Sequence, residues 1–225
     1  MADVIAPSND HTYFAKAEHL FPALVGDDHL IPTEQFLSAC QGIADFVGFL
    51  GTAFAPVKAD IQGNVVKVRT RWLKDPIGQE YIQQLIDADL ADNGGKLGIA
   101  TEGLLWLKRG LEFMLQMLTL MVKEYHSNAD KSKTESLSTC IGGAYDSTLK
   151  RHHGFMAKQV FKVVFIAAPY RKTIMKAVAE GREGMDDVCI GHIEEHLNNF
   201  RTSVKTLVDY YVSKNLDTVN PNSPF

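Results

Sequence analysis

The stretch IATEGLLWLKRGLEFMLQMLTLMVKEY, residues 99–125, decides the fold. It is apolar around almost its whole helical circumference. The narrow polar stripe consists of Lys108, Glu112, Gln116, Thr119 and Lys123. A helix that is hydrophobic nearly all round is stable only when other elements cover most of its surface. The stretch therefore predicts a central helix that other helices pack against on both sides.

The remaining segments show the same helical period, and no segment alternates polar and apolar residues for long enough to predict a strand. Further helices are predicted after Thr33, from Pro56, from Asp75-Pro76 to Asp92, from Thr134 to His152, from Phe155 to Ala168, from Arg171 to Glu180, and along a last apolar stripe from Ile193 to Tyr211. The sequence predicts an all-α protein of about eight helices.

The two ends of the chain differ from this helical region. Residues 1–16 are mostly polar and irregular, and residues 218–225 contain two prolines that cannot continue a helix. No repeat or linker divides the chain between them. We expect a loose amino-terminal extension over residues 1–16, one domain over residues 17–217, and a loose tail over residues 218–225.

Composition excludes several classes of function. The chain has 23 basic and 27 acidic residues and a formal charge of -4, which argues against nucleic acid as a partner. Its charge-free stretches are shorter than the roughly 18 to 20 apolar residues of a membrane span. The amino terminus lacks the pattern of a secretory signal. We expect a cytoplasmic protein, and its three separated cysteines are typical of reduced thiols.

The pattern H-x-x-E-H at residues 192–196 matches an inverted zinc-hydrolase signature, in which two histidines hold the metal. Such a site needs a third protein ligand, and little chain follows to supply one. We therefore expect His192 and His196 to flank an apolar helix stripe, with a zinc hydrolase as a remote alternative. No catalytic residue, metal or cofactor is predicted.

One helical segment carries a polar group beside an apolar face. At about 100° per residue, Asp60, Asn64 and Lys67 share one sector, and Val57 and Ile61 begin the adjacent apolar sector. Such an edge could bind an amphiphile, with hydrogen bonds to a polyhydroxylated head and apolar contacts to its chain. It could equally be a solvated helix edge with an ion pair. Spacing alone leaves both interpretations open.

Four motifs in order carry a family resemblance. They are A-D-I-x-G-N-x-x-K at residues 59–67, L-x-W-L-K-R-G-L at residues 104–111, H-G at residues 153–154 and A-A-P-Y at residues 167–170. The sequence resembles the glycolipid transfer protein family over about residues 17–217. This resemblance implies a two-layer all-helical sandwich that encloses one lipid site. It also implies a non-enzymatic carrier that transfers a glycosphingolipid between membranes.

The resemblance assigns roles to the polar residues. Asp60, Asn64 and Lys67 would hydrogen-bond the sugar, Trp106 would stack under the first sugar ring, and His153 would bind the ceramide amide. Asp60 would also accept from the amide N–H. His152 stands where the family would show a tyrosine, so the roles of His152 and His153 could be exchanged.

Two apolar sets are expected to serve the lipid and the membrane. The acyl-chain sleeve is predicted to consist of Phe46, Leu50, Phe54, Val57, Leu111, Phe113, Phe161 and Phe165. Transient membrane docking is predicted for Phe155, Ile166, Tyr170, Arg171 and Lys172. Phe155 replaces a tryptophan that is common in the family.

Two alternatives remain within this fold. A carrier of ceramide 1-phosphate would have a basic residue where this chain has Trp106, so Trp106 favours a sugar. A lipid sensor would bind the lipid without delivering it. The expected partners are a glycosphingolipid and a transient membrane surface, and we expect a monomer that is peripheral to membranes.

Overall fold

The computed structural model describes residues 11–221, and in this range the chain forms eight α-helices and no strand. The helices are α1 Thr33–Phe49, α2 Ala55–Trp72, α3 Ile82–Asp92, α4 Ile99–Ser127, α5 Ser138–Ser147, α6 Phe155–Ile166, α7 Arg171–Val178 and α8 Asp186–Ser213. This confirms the predicted all-α sandwich. None of these helices combines the length and hydropathy that a bilayer span requires.

The predicted central helix is α4. It is 29 residues long and packs against α2, α3, α5 and α8. Leu104, Leu107, Leu111, Leu115 and Leu118 are completely buried along its length. Removal of this apolar surface from water is the main favourable term in forming the sandwich.

A network of polar contacts fixes where α4 begins. The Thr101 amide and hydroxyl both donate to Asp89 Oδ2, at 2.9 and 2.8 Å. A Cβ on Gly98 would lie 2.4 Å from Asp89 Oδ2, so this position accepts only glycine without rearrangement. Tyr211 Oη donates to the Thr101 carbonyl at 2.7 Å and joins α8 to the same point.

The predicted boundaries of two helices are wrong. The third helix begins at Ile82 rather than at Asp75-Pro76, because Asp75 Oδ1 accepts from the Gly78 amide at 2.9 Å and closes a turn instead of a cap. The fifth helix ends at Ser147 rather than at His152. The Thr148 hydroxyl donates to the Ala144 carbonyl at 2.6 Å, and the Thr148 backbone leaves the helical region.

The amino-terminal segment is packed where it was expected to be loose. Tyr13 Oη donates to the Gly42 carbonyl at 2.6 Å, and Phe14 is 1% exposed. The Phe14 ring centre lies 4.9 Å from that of Phe46 and 4.8 Å from that of His196. The loose extension is therefore wrong for residues 12–14, while residues 1–10 lie outside the described range.

The start of the carboxy-terminal tail is also anchored. Arg151 donates to Thr218 Oγ1 at 2.7 Å and to the Val219 carbonyl at 3.1 Å. Asn220 Nδ2 donates to the Ser147 carbonyl at 2.9 Å. Residues 218–220 therefore lie on the domain, contrary to the expected loose tail, and residues 222–225 are outside the described range.

Phe14→Ala should lower the free energy of unfolding by about 3 kcal/mol, because it removes a fully buried ring. Leu73→Ala, at a residue that is 61% exposed, is the control and should change stability by less than about 0.5 kcal/mol. Urea unfolding followed by circular dichroism measures both. A Phe14 effect no larger than that of the control would show that the segment does not contribute to the core.

Candidate functional site

An apolar cavity of about 210 Å³ lies between α2, α4 and α6. The lining residues are Pro56, Val57, Asp60, Ile61, Trp106, Gly110, Phe113, Leu149, His153, Ala157, Val160 and Phe161. The lining is therefore apolar apart from a few polar groups, among them a carboxylate and an imidazole. This composition is typical of a site for a largely hydrophobic ligand whose orientation is set by a few polar contacts.

One glycine on α4, Gly103, allows α2 to come close. A Cβ on Gly103 would lie 3.2 Å from Lys67 Cδ, and one on Gly110 would lie 3.9 Å from Ile61 Cγ1. The first distance is tighter than an ordinary van der Waals contact, so Lys67 would have to move. This close crossing brings the polar residues of α2 next to Trp106 on α4.

The polar residues of α2 form one connected group. Lys67 Nζ donates to Asn64 Oδ1 at 3.0 Å, and Asn64 is buried at the contact with α4. Of the three, Asp60 lines the cavity. Partial burial raises the pKa of the Asp60 carboxyl, although Lys67, Asn64 and His153 counteract the shift. The Asp60 carboxylate is thus a hydrogen-bond acceptor that faces the cavity and is only partly solvated by water.

Trp106 is half-buried in the cavity wall, and a guanidinium supports its ring. The Arg109 guanidinium carbon lies 4.8 Å from the centre of the Trp106 ring, a cation–π arrangement. Arg109 Nη2 donates to Asp217 Oδ1 at 3.0 Å, and Lys108 Nζ lies 2.9 Å from Asp217 Oδ2. The sequence analysis assigned no role to Arg109 or Asp217, because no local pattern connects residues 108 positions apart.

The structure distinguishes the two neighbouring histidines. His153 lines the cavity, and its Nδ1 lies 3.2 Å from Tyr145 Oη. Burial lowers the pKa of His153, so its imidazole is neutral at pH 7. His152 is not in the cavity lining, and burial together with Arg109 lowers its pKa to about 4. The geometry therefore favours His153 as the ligand-facing member of the pair.

Comparison with known proteins assigns the family. The family model described as Glycolipid transfer protein (GLTP) matches residues 31–180. The chain belongs to the glycolipid transfer protein family. A glycolipid transfer protein of Danio rerio is 32% identical over 204 residues, which are 89% of this chain and 95% of the relative. One of Aureobasidium melanogenum is 34% identical over 204 residues, with 90% and 94% covered.

Solved structures of the family share the fold. The structure described as "How FAPP2 Selects Simple Glycosphingolipids Using the GLTP-fold" has a TM-score of 0.78 and 29% identity, and covers 92% of this chain and 98% of its own. The fungal glycolipid transfer protein HET-C2 has a TM-score of 0.73 and 31% identity, with 94% and 97% covered. Mouse ceramide-1-phosphate transfer protein, at a TM-score of 0.72 and 18% identity, shares the fold alone.

In this member of the glycolipid transfer protein family, three of the eight predicted sleeve residues line the cavity: Val57, Phe113 and Phe161. Phe46, Leu50, Phe54 and Leu111 are at most 1% exposed and lie in the core outside the lining. Phe165 is half-buried and contacts the rings of Tyr145 and Phe161. The missed lining residues include Gly110, which lies about one helical turn from each of the predicted residues Trp106 and Phe113.

Four of the five residues predicted for membrane docking are exposed. Phe155 is 74%, Ile166 89% and Tyr170 63% exposed, and Lys172 is exposed as well. The sequence analysis missed three neighbours on the same helix: Met156, Val160 and Val163 are 74%, 43% and 59% exposed. The exposed apolar face of α6 consists of Phe155, Met156, Val160, Val163 and Ile166.

The docking prediction is wrong for Arg171, which is 3% exposed. Its guanidinium donates to Glu135 Oε1 at 2.7 Å and to Asp186 Oδ2 at 2.5 Å. A guanidinium held between two carboxylates inside the protein joins the start of α7 to α8 and to the segment before α5. It is therefore not available to a membrane surface.

The histidines of the H-x-x-E-H pattern serve packing. His192 Nδ1 lies 3.0 Å from Thr12 Oγ1. His196 is buried among the rings of Phe14, Phe21 and Phe200, and its ring nitrogens have no partner within residues 11–221. Burial lowers the His196 pKa to about 3. The same range contains no group of three or more His, Cys, Asp or Glu side chains arranged to hold a metal ion.

His196→Phe should raise the free energy of unfolding by about 1 kcal/mol, because buried polar atoms without partners cost roughly 1 to 3 kcal/mol. The adjoining cavity of about 240 Å³ gives the larger ring room. His126→Phe, at an exposed position, is the matched control and should have little effect. Thermal and urea unfolding measure both variants, and a clear loss of stability in His196→Phe would contradict the packing role.

Proposed function

We propose that the protein binds one glycosphingolipid and carries it between membranes without a chemical reaction. The observation that supports this most is the cavity. Its lining is mainly apolar and also includes Asp60, Trp106 and His153. A ceramide with a sugar head has matching parts: an amide, hydroxyl groups and long apolar chains. Membership of the glycolipid transfer protein family supports the same assignment.

The polar residues match the head of such a lipid. Asp60 accepts hydrogen bonds from the amide N–H and from sugar hydroxyls, while Asn64 and Lys67 supply donors beside it. Trp106 offers an apolar plate to the C–H face of the first sugar ring. His153, neutral and held next to Tyr145, donates to the amide carbonyl. A buried amide without these partners would weaken binding by roughly 1 to 3 kcal/mol.

The apolar chains need more room than the cavity provides. Exposure of sixteen methylenes to water costs about 13 kcal/mol at roughly 0.8 kcal/mol each, so a carrier must cover them. The cavity of about 210 Å³ is smaller than the range of roughly 300 to 1,000 Å³ that is typical of ligand pockets. We propose that entry of the acyl chains separates the side chains of the adjoining core. The lipid would then contact the remaining sleeve residues Phe46, Leu50, Phe54, Leu111 and Phe165.

The exposed apolar face of α6 suits a transient contact with a membrane. Its side chains can enter the headgroup boundary, and Lys158 and Lys162 on the same helix are exposed and attracted by anionic lipids. The face begins two residues after His153, at Phe155, so docking places the cavity beside the bilayer. We propose a cytosolic monomer that docks reversibly and moves the lipid down its concentration gradient.

Trp106→Ala should reduce the transfer of a fluorescent monoglycosylated ceramide between vesicles about tenfold or more. It removes the stacking plate, worth roughly 0.5 to 1.5 kcal/mol beyond its buried area. Trp106→Phe keeps a ring and should retain most of the activity, which makes it the matched control. Undiminished transfer in a folded Trp106→Ala protein would contradict the sugar-reading role. A wild-type protein that binds the lipid but does not deliver it would be a sensor instead.

The double variant Phe155→Ala/Ile166→Ala should slow transfer from vesicles about tenfold, because less apolar area enters the membrane boundary. Binding of a short-chain, water-soluble glycolipid should change less than twofold. Ile77→Ala, at a residue 90% exposed outside α6, is the matched control for surface hydrophobicity. Equal losses of transfer and soluble binding would place the two residues in the ligand site rather than in docking.

A further inference from the structure

A cluster of four charged side chains lies behind Trp106, and we call it the Asp217 cluster. It consists of Lys108, Arg109, Glu112 and Asp217, whose side chains are 4%, 14%, 6% and 6% exposed. Asp217 Oδ2 lies 2.9 Å from Lys108 Nζ, and Asp217 Oδ1 accepts from Arg109 at 3.0 Å. Glu112 Oε2 lies 3.4 Å from Lys108 Nζ. One carboxylate thus bridges the two cations that follow Trp106 in the sequence.

The two carboxylates do not contribute equally. Burial raises the pKa of Glu112 more than Lys108 lowers it. Burial acts in the same direction on Asp217, but the hydrogen bonds from Arg109 and Lys108 outweigh it and hold the Asp217 pKa below its ordinary value. Asp217 is therefore the firmly ionised partner that both cations share.

The end of the chain holds this carboxylate in place. The residues after Asp217 are bound by Arg151, through Thr218 Oγ1 and the Val219 carbonyl, and by the contact from Asn220 to Ser147. Arg151 and Ser147 belong to the segment that leads into His153. The carboxy-terminal segment is thus attached to the chain on both sides of the candidate site.

We propose that Asp217 makes the site select a sugar head over a phosphate head by pairing with Arg109, the guanidinium beside Trp106. This inference rests on the proposed transfer function and adds a specificity-determining residue to it.

Charge and geometry carry the inference. Arg109 lies against Trp106, the residue proposed to receive the sugar, and its Nε is buried without a partner among the described residues. An unpaired guanidinium at this position would form charge-assisted hydrogen bonds with a phosphate. With Asp217 in place both cations are already paired, and Asp60 on the cavity wall repels an anion. Without Asp217, Glu112 is the remaining carboxylate of the Asp217 cluster, and its Oε2 lies 3.4 Å from Lys108 Nζ.

The test measures transfer of fluorescent ceramide 1-phosphate and of fluorescent glucosylceramide from the same donor vesicles. Asp217→Asn should raise the ratio of ceramide 1-phosphate transfer to glucosylceramide transfer at least tenfold over that of the wild type. Asp209→Asn removes a carboxylate of the same charge from an exposed ion pair with Lys205 on α8 and is the matched control. Asp217→Glu retains the charge and should keep the ratio near that of the wild type.

The outcomes separate this inference from the proposed function. A wild-type protein that transfers no glucosylceramide would overturn the proposed function itself. A wild-type protein that transfers glucosylceramide, together with an unchanged ratio in a folded Asp217→Asn variant, would overturn the selectivity role alone. A similar rise in Asp209→Asn would also overturn it, because the effect would then reflect net charge.

Thr218→Val provides a second variant if Asp217→Asn does not fold. It removes the hydroxyl that accepts from Arg151 while all charges of the Asp217 cluster remain. The carboxy-terminal segment should then hold Asp217 less firmly. The ratio of ceramide 1-phosphate transfer to glucosylceramide transfer should therefore rise about threefold. No rise in this folded variant would overturn the inference.

Discussion

The need to cover α4 governs the rest of the structure. Its leucines are buried around most of the circumference, so α2, α3, α5 and α8 must surround it. The two ends of α4 carry the polar contacts that orient this packing, for example Thr101 with Asp89 and Tyr211. A helix with this composition cannot be stable at a surface, and the sandwich is the arrangement that removes it from water.

The candidate site follows from the same packing. Gly103 allows α2 to approach α4 closely, which brings the polar edge of α2 beside Trp106. The early end of α5 then turns the chain so that His153 faces the same cavity. The site thus combines residues from three helices and a connecting turn.

The protein contains two groups of buried charges, and they differ in what they contact. The Arg171 guanidinium lies between Glu135 and Asp186 and joins helices, and none of the three residues lines the candidate cavity. Arg109 of the Asp217 cluster instead lies against Trp106 in the cavity wall. The charge balance of the cluster therefore affects which lipid heads the cavity can bind. A buried ion pair adds little stability by itself, because desolvation offsets much of the attraction. The position of a buried ion pair is therefore more informative about its role than its contribution to stability is.

The sequence by itself determined the helical class, the central helix and the shared face of Asp60, Asn64 and Lys67, because helical period is a local property of the chain. Its motifs also identified the family. Tertiary structure decided the start of α3, the burial of Arg171, the packing of Phe14 and the pairing of Arg109 with Asp217. Each of these depends on which distant groups become neighbours, as when Glu135 and Asp186 enclose Arg171. Local pattern does not contain that information, since the free energy of such contacts arises only when the helices pack.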